Sequence, residues 1–179
     1  DGAAQRVSEV RQAGRRVLIV SNAAGVPLDA LCQRYRRLGF DFSRDEIVSS
    51  RVALIHYLQD QPARHWGIIA PAGAAVSDLG VEAGNLLERP DLFDRVDGFI
   101  LLSSTGWTGA LQQRLLDSLA AHDRPVLLAN PDLAAPREYG FSVEPGQIAR
   151  TLRHHTACEP LAFGKPYRLI FDLALKRLP

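Results

Sequence analysis

Apolar residues recur along this chain in two rhythms, short continuous runs and helical spacings, and the two alternate. Over 3–13, Val7 and Val10 stand among polar residues at helical spacing, and Gly14 is placed to stop that helix. The four consecutive aliphatics Val17 to Val20 predict a buried strand covered on both faces, with Ser21 and Asn22 at its carboxyl end. Beyond Pro27, the positions Leu28, Leu31, Cys32, Tyr35 and Leu38 recur at threes and fours until Gly39, which predicts a second helix. Residues 46–50 then predict a short strand and 52–58 a helix that ends before Pro62. Such alternation is the pattern of a parallel α/β sheet, because each parallel strand needs a crossover to reach its neighbour.

The alternation restarts after Pro62. It predicts a strand at 66–70, a helix at 74–79, an acidic loop and a strand at 96–102. An amphipathic helix follows at 109–121, with Leu111, Leu115, Leu116 and Leu119 on one face, and then a buried strand at 125–129. This block has the form of a small α/β unit of its own. Residues 147–155 predict a helix, 160–163 a strand returning to the first unit, and 167–178 a final helix with Pro166 at its start. The expected organisation is therefore a core spanning 1–63 and 158–179, with an α/β unit inserted at 64–157. No internal repeat or low-complexity segment interrupts it.

Composition narrows the function classes. With 179 residues the chain has the length of one or two compact domains, and 46% apolar content is ordinary for a globular protein. A formal net charge of +1 and dispersed arginines lack the basic patch with interleaved aromatics that nucleic-acid binding needs. Arg34, Arg36 and Arg37 fall on the polar side of a predicted helix, which is expected to be a solvated face. No apolar run approaches membrane-spanning length, and the N-terminus lacks the apolar core of a signal peptide, so neither a nucleic-acid nor a membrane partner is expected. Cys32 and Cys158 are too few for a disulfide framework, and neither falls in a Cys-x-x-Cys pair, which points to a reducing, cytoplasmic compartment. The chain has no methionine, so Asp1 is not expected to be the first residue of the gene. Oligomeric state stays open, a homo-oligomer included.

Candidate chemistry gathers where predicted strands end. Lys165 is one of two lysines in a chain that otherwise uses arginine, and it follows the apolar Leu161-Ala-Phe163 and Gly164. A compact ammonium delivered by a buried strand suits neutralisation of a phosphate or carboxylate; the alternative is a surface lysine in a Gly-Pro turn. Ser21 and Asn22 stand at the carboxyl end of the first strand, where open α/β sheets bind ligands. Asn130-Pro131-Asp132 follows another strand, with a proline or Asx turn as the alternative role for Asp132. The pair His154-His155 points in different directions from a helix, with no carboxylate at metal-ligand spacing, so it is expected to be solvated or capping. Ser103-Ser-Thr105-Gly106 resembles a phosphate-friendly loop without the Lys-Ser/Thr ending of a P-loop. Trp66 and Trp107 are expected to pack.

In this order the hydroxyl with its amide, the amide with its carboxylate, and the ammonium resemble the haloacid dehalogenase (HAD) superfamily. Within it they are similar to subclass IIA, the 4-nitrophenylphosphatase-like and nucleotide-monophosphatase-like hydrolases with a large α/β cap. Ser21-Asn22 matches that family's second motif, Val126-Leu-Leu-Ala-Asn130-Pro131-Asp132 its cap signature, and Phe163-Gly164-Lys165-Pro166 its third motif. The resemblance covers essentially the whole chain. It implies a partial Rossmann-like core, a parallel sheet with helices on both faces, plus the inserted cap. It further implies a magnesium-dependent phosphatase acting on a small phosphorylated metabolite through an aspartyl-phosphate. Ser21 would hydrogen-bond a phosphoryl oxygen and Lys165 would hold the charge of phosphoryl group and nucleophile. Asn22, Asn130 and Asp132 would bind or shape the substrate side.

The departures carry weight too. The family's nucleophile is the first Asp of an Asp-x-Asp-Gly motif, which this chain lacks; Asp1-Gly2 resembles its tail, but the register against Ser21 places Gly2-Ala3 at a later Gly-Ala, so Asp1 is not a catalytic candidate. The acidic fourth motif that binds Mg²⁺ is absent as well, and no metal ligand is assigned. The chain is expected to be an excerpt of a longer enzyme and inactive alone, with a short pseudoenzyme as the lesser alternative. Two other functions stay open: a non-catalytic ligand-binding or regulatory module, and an unrelated α/β enzyme with Ser21 as nucleophile. The latter lacks a Gly-x-Ser-x-Gly elbow and an evident histidine base.

Overall fold

The computed structural model describes residues 2–178; Asp1, set aside above, and Pro179 lie outside the described residues. Helix α1 (Ala3–Gln12) leads to β1 (Ile19–Ser21), α2 (Leu28–Arg37), β2 (Ile47–Ser49) and α3 (Ser50–Leu58). Then come β3 (Trp66–Ile69), β4 (Ala83–Asn85), β5 (Gly98–Leu101), α4 (Gly109–Ala121) and β6 (Val126–Leu128). The chain ends with β7 (Ala134–Arg137), β8 (Gly140–Val143), α5 (Pro145–His155), β9 (Leu161–Ala162) and α6 (Arg168–Leu175). Strands β1 and β2 form a parallel pair, and five parallel strands make a second sheet in the order β4-β3-β5-β6-β9. The short β7–β8 hairpin is antiparallel.

The continuous apolar runs become strands buried on both faces because successive side chains point to opposite sides. Ile100 of β5 and Leu127 of β6 enter one buried cluster, while Phe99, Leu101, Val126 and Leu128 enter another on the opposite face. Leu115 and Leu119 of α4, with Ile148 and Leu152 of α5, cover the second face. The first face packs against α3 and α6 through Leu54, Leu58, Ile170 and Ala174, and that cluster continues to Val48 of β2. Helices α3 and α6 thus lie between the two sheets. On the far side of β1–β2, Leu31, Cys32, Phe42 and Ile47 close a third cluster.

Several expectations change. The strand at 160–163 does not return to the first unit: Leu161 pairs with Leu127 and Ala162 with Leu128, so β9 extends the five-stranded sheet and the chain crosses back only at α6. Having covered the outer face with α5, the chain meets the open edge of β6 first, and pairing there satisfies its backbone. The helix expected at 74–79 is only a 3-10 turn, Ser77–Leu79, bracketed by Gly73 and Gly80 at φ +71° and +67°. The final helix starts at Arg168, not at 167, and ends at Leu175. Strand β4 and the hairpin were not foreseen.

One buried charge organises this arrangement. Arg51, on the first turn of α3, is 1% exposed. Its Nε and Nη2 donate to the two carboxylate oxygens of Asp78 at 2.9 and 2.6 Å, its Nη2 to the Ala75 carbonyl at 2.7 Å and its Nη1 to the Ala24 carbonyl at 2.9 Å. By taking the Ala75 carbonyl it holds 74–76, where a helix was expected, as loop, and it fixes the loop after β1. A planar guanidinium makes all four of these bonds; an ammonium, with three donors, cannot. Arg51→Ala is expected to destabilise the fold by about 3 kcal/mol, the cost of stranding a buried pair, and Arg51→Lys to recover only part of it. Denaturant unfolding measures this, and a loss below about 1 kcal/mol for both variants would contradict the assignment.

Candidate functional site

Strand β1 delivers Ser21 and Asn22 to the carboxyl end of its sheet, and the loop beyond them turns on Ala24, which Arg51 pins. Ser21 Oγ accepts from the Ala23 backbone N–H at 3.3 Å, an arrangement that leaves the hydroxyl proton free to donate outward. Asn22 makes the decisive contacts. Its Oδ1 accepts from the Lys165 backbone N–H at 2.6 Å, and its Nδ2 donates to the Lys165 carbonyl at 3.1 Å and to Asp132 Oδ1 at 2.8 Å. One carboxamide therefore joins three segments distant in sequence.

Glycine makes this approach possible. A Cβ at Gly164 would lie 2.5 Å from Pro131 Cδ and 2.6 Å from Asn22 Oδ1, and one at Gly146 would lie 2.2 Å from the Pro131 carbonyl oxygen. The Gly146 N–H donates to the Asp132 carbonyl at 2.9 Å, so the segment carrying Asp132 is held from both sides. Behind it, Asn130 is 9% exposed and fully engaged: its Oδ1 accepts from the Asp132 N–H at 3.0 Å and its Nδ2 donates to Glu144 at 3.0 Å. Glu144 caps the start of α5, where the helix dipole favours a carboxylate, and also accepts from Arg137 Nη2 at 2.6 Å and Ser142 Oγ at 2.5 Å.

All five residues singled out from the sequence, Ser21, Asn22, Asn130, Asp132 and Lys165, line one cleft of about 640 Å³. Lys165 is exposed to it. Arg34, expected to be merely solvated, is exposed but also borders this cleft. Among the described residues neither Lys165 nor Arg34 takes part in an ion pair.

Sequence reasoning missed Arg51, Arg137 and Glu144. The last two sit on or beside the unforeseen hairpin; the alternation of Phe141 and Val143 after Gly140 was the available signal. Ser103 reaches the cleft wall, whereas His154 and His155 are exposed on α5. Trp66 is buried beneath the sheet. Cys158 is no candidate nucleophile, since burial, aided by the carboxylates of Asp123 and Glu159, pushes its thiol up to about 11.

Among the described residues no group of three or more His, Cys, Asp or Glu side chains could hold a metal ion. The cleft carboxylates Asp132 and Glu144 are taken by Asn22 and by Asn130, Ser142 and Arg137, so the residues present do not form a Mg²⁺ site. No helix among the described residues is long and apolar enough to cross a membrane.

The Asn22 bridge is open to direct test. Asn22→Asp replaces donors with a carboxylate facing Asp132 and is expected to cost about 1–3 kcal/mol near neutral pH, more than Asn22→Ala. The like-charge pair raises the folded-state carboxyl pKa, so the excess loss over Asn22→Ala should shrink as pH falls from about 7 to about 4. Equal effects of the two variants across that range would contradict the contact. Gly164→Ala is expected to destabilise by about 1–3 kcal/mol through overpacking, visible as a lowered Tm.

Residues 1–79 match the family model described as haloacid dehalogenase-like hydrolase. The chain is 30% identical over 185 residues to the D-glycerol 3-phosphate phosphatase of Mycobacterium tuberculosis, an alignment that takes in 98% of this chain and 48% of that protein. Its fold superimposes on the p-nitrophenyl phosphatase from Archaeoglobus fulgidus with a TM-score of 0.80 at 23% identity, covering 98% of this chain and 66% of that one. On the Mycobacterium tuberculosis glycerol phosphate phosphatase in complex with magnesium the TM-score is 0.77 at 26% identity, covering 98% and 52%. The chain thus spans about half the length of the curated relative. Ser21, Asp132 and Lys165 thus meet in one cleft of a parallel α/β fold whose first 79 residues match the haloacid dehalogenase-like hydrolases and whose whole length is similar to phosphatases.

Proposed function

We propose that the protein is a phosphoric monoester hydrolase acting on a small phosphorylated metabolite, and that the cleft described here is its phosphoryl-binding side. The observation that carries this reading is the Asn22 bridge, which holds the Lys165 backbone beside the Ser21 strand end while leaving the lysine side chain exposed to the cleft. Lys165 places an ammonium against the phosphoryl oxygens, and the Ser21 hydroxyl, already accepting from Ala23, donates its proton to one of them. Both interactions strengthen as charge develops on the transferring group, which is the requirement for catalysis rather than mere binding. Asp132, fixed by Asn22, lines the same cleft, carried by an inserted α/β unit that we take to run from 64 to about 163.

The relatives' phosphatase names and greater length support the reading. The nucleophilic aspartate and the ligands for Mg²⁺, which would supply positive charge to the phosphoryl oxygens, are then contributed by residues outside this sequence. A second reading, ligand binding without turnover, has one observation in its favour: Asp132 and Glu144 are both engaged by donors, so neither is free to attack.

Hydrolysis of p-nitrophenyl phosphate by the full-length protein, with Mg²⁺ and with EDTA, separates the two. Lys165→Ala is expected to lower turnover by about a thousandfold with the fold retained, and Lys165→Arg to rescue little because a planar fork does not replace a compact ammonium. Ser21→Ala should lose on the order of ten- to a thousandfold, and Ser21→Thr, which keeps the hydroxyl, much less. Near-wild-type rates in both lysine variants would remove the proposed role, and binding of phosphate without hydrolysis would favour the second reading.

A further inference from the structure

The cleft that Lys165 lines also carries a guanidinium that phosphoryl transfer does not use. Arg137, at the end of β7, is anchored along one edge: Nε donates to Ser142 Oγ at 2.8 Å and Nη2 to Glu144 Oε1 at 2.6 Å. Glu144 is 7% exposed and is itself fixed by Ser142 and Asn130, so the anchor is rigid and the fork is pre-oriented. Nη1 has no hydrogen-bond partner among the described residues. The side chain borders both the main cleft and an adjoining pocket of about 310 Å³, and Ser103 borders both as well.

The hydroxyl pattern of that pocket selects the ligand chemistry. Ser103 Oγ and Thr105 Oγ1 lie 3.2 Å apart and share one hydrogen bond, which leaves one hydroxyl proton of the pair free, whereas Ser104 and Ser142 direct theirs to the Val143 carbonyl and to Glu144. The free side-chain protons on offer are therefore those of Arg137 and one from the Ser103–Thr105 pair. Two donors suit a group that only accepts, a carboxylate, better than a hydroxyl that must also donate. The Arg137–Glu144 pair is neutral by itself, and Arg34, unpaired on another side of the cleft, supplies excess positive charge.

We propose that Arg137 and the Ser103–Thr105 hydroxyl pair form the subsite for a carboxylate on the alcohol portion of the substrate, so that the preferred substrates are phosphate monoesters of hydroxy acids. The proposal rests on the phosphatase reading above and deepens it. It assigns Arg137 to substrate selection and predicts that its loss changes discrimination between substrates.

The test compares D-3-phosphoglycerate with glycerol 3-phosphate, which differ at one end by a carboxylate against a hydroxymethyl group, in the full-length protein with Mg²⁺. The wild type is expected to show the higher kcat/KM for phosphoglycerate. Arg137→Ala and Arg137→Gln are each expected to lower the ratio of the two kcat/KM values by about ten- to a hundredfold, the worth of a charge-assisted hydrogen bond. A wild type that prefers glycerol 3-phosphate, or a ratio that stays put in both variants, overturns the subsite. If neither compound is hydrolysed while p-nitrophenyl phosphate is, the subsite falls and the phosphatase reading stands; if all three are inert, both fall.

Discussion

The site depends on the carboxamide of Asn22. An amide side chain is the one neutral group that can present an acceptor and two donors in a single plane, and here all three faces are used. Oδ1 and Nδ2 engage the N–H and C=O of Lys165 as a neighbouring strand would, and the remaining donor reaches Asp132. Aspartate would lose the donors and leucine everything, and any side chain at 164 would meet Asn22 Oδ1, which a Cβ there would approach to 2.6 Å. Positions 22, 132 and 165 are thereby set relative to one another by hydrogen bonds a few ångström long, independent of any ligand.

Around that bridge the buried charges are fully occupied. Arg51 lies beneath the Ala24 loop with its donors on Asp78, Ala24 and Ala75; Glu144 lies behind the hairpin, accepting from Asn130, Arg137 and Ser142. Burying either charge unpaired would cost several kcal/mol, about what a whole region of such a fold can spare, so each fixes its neighbours. What stays uncommitted is the functional remainder: the Ser21 hydroxyl proton, the Lys165 ammonium and one edge of Arg137. A cleft whose scaffold groups are satisfied and whose free groups are donors or cations is suited to an anion.

Much of this was legible in the sequence where one physical rule dominated. The runs around Ile68, Ile100 and Leu127 could be strands buried on both faces and little else, and helix 109–121 emerged with the bounds expected from its leucine spacing, with Thr108 as its cap. Ser21 and Lys165 stood out as a hydroxyl and an ammonium at strand ends, but a lysine there also suits a Gly-Pro turn, and it was the order of three motifs that singled them out. The misses fall where local pattern loses to tertiary contact. Ala75 follows a helical pattern, but Arg51 takes its carbonyl; Leu161 could extend either sheet, and the free edge of β6 decides. The alternation after Gly140 could have signalled the hairpin but not the pairing of Arg137 with Glu144, which exists only once the hairpin folds back on itself. Arg34 reads as a solvated helix face, and its place at the cleft follows from how α2 lies beside β1, which spacing does not encode.

The central claim is that Ser21 and Lys165, held together through Asn22, grip one phosphoryl group. A crystal structure of the full-length protein with tungstate, a stable mimic of phosphate, tests it most directly. The account predicts an oxyanion with separate oxygens within about 3 Å of Ser21 Oγ and of Lys165 Nζ. Tungstate seated elsewhere in the cleft, with Lys165 turned to solvent and Ser21 hydrogen-bonded only to its own loop, would contradict it.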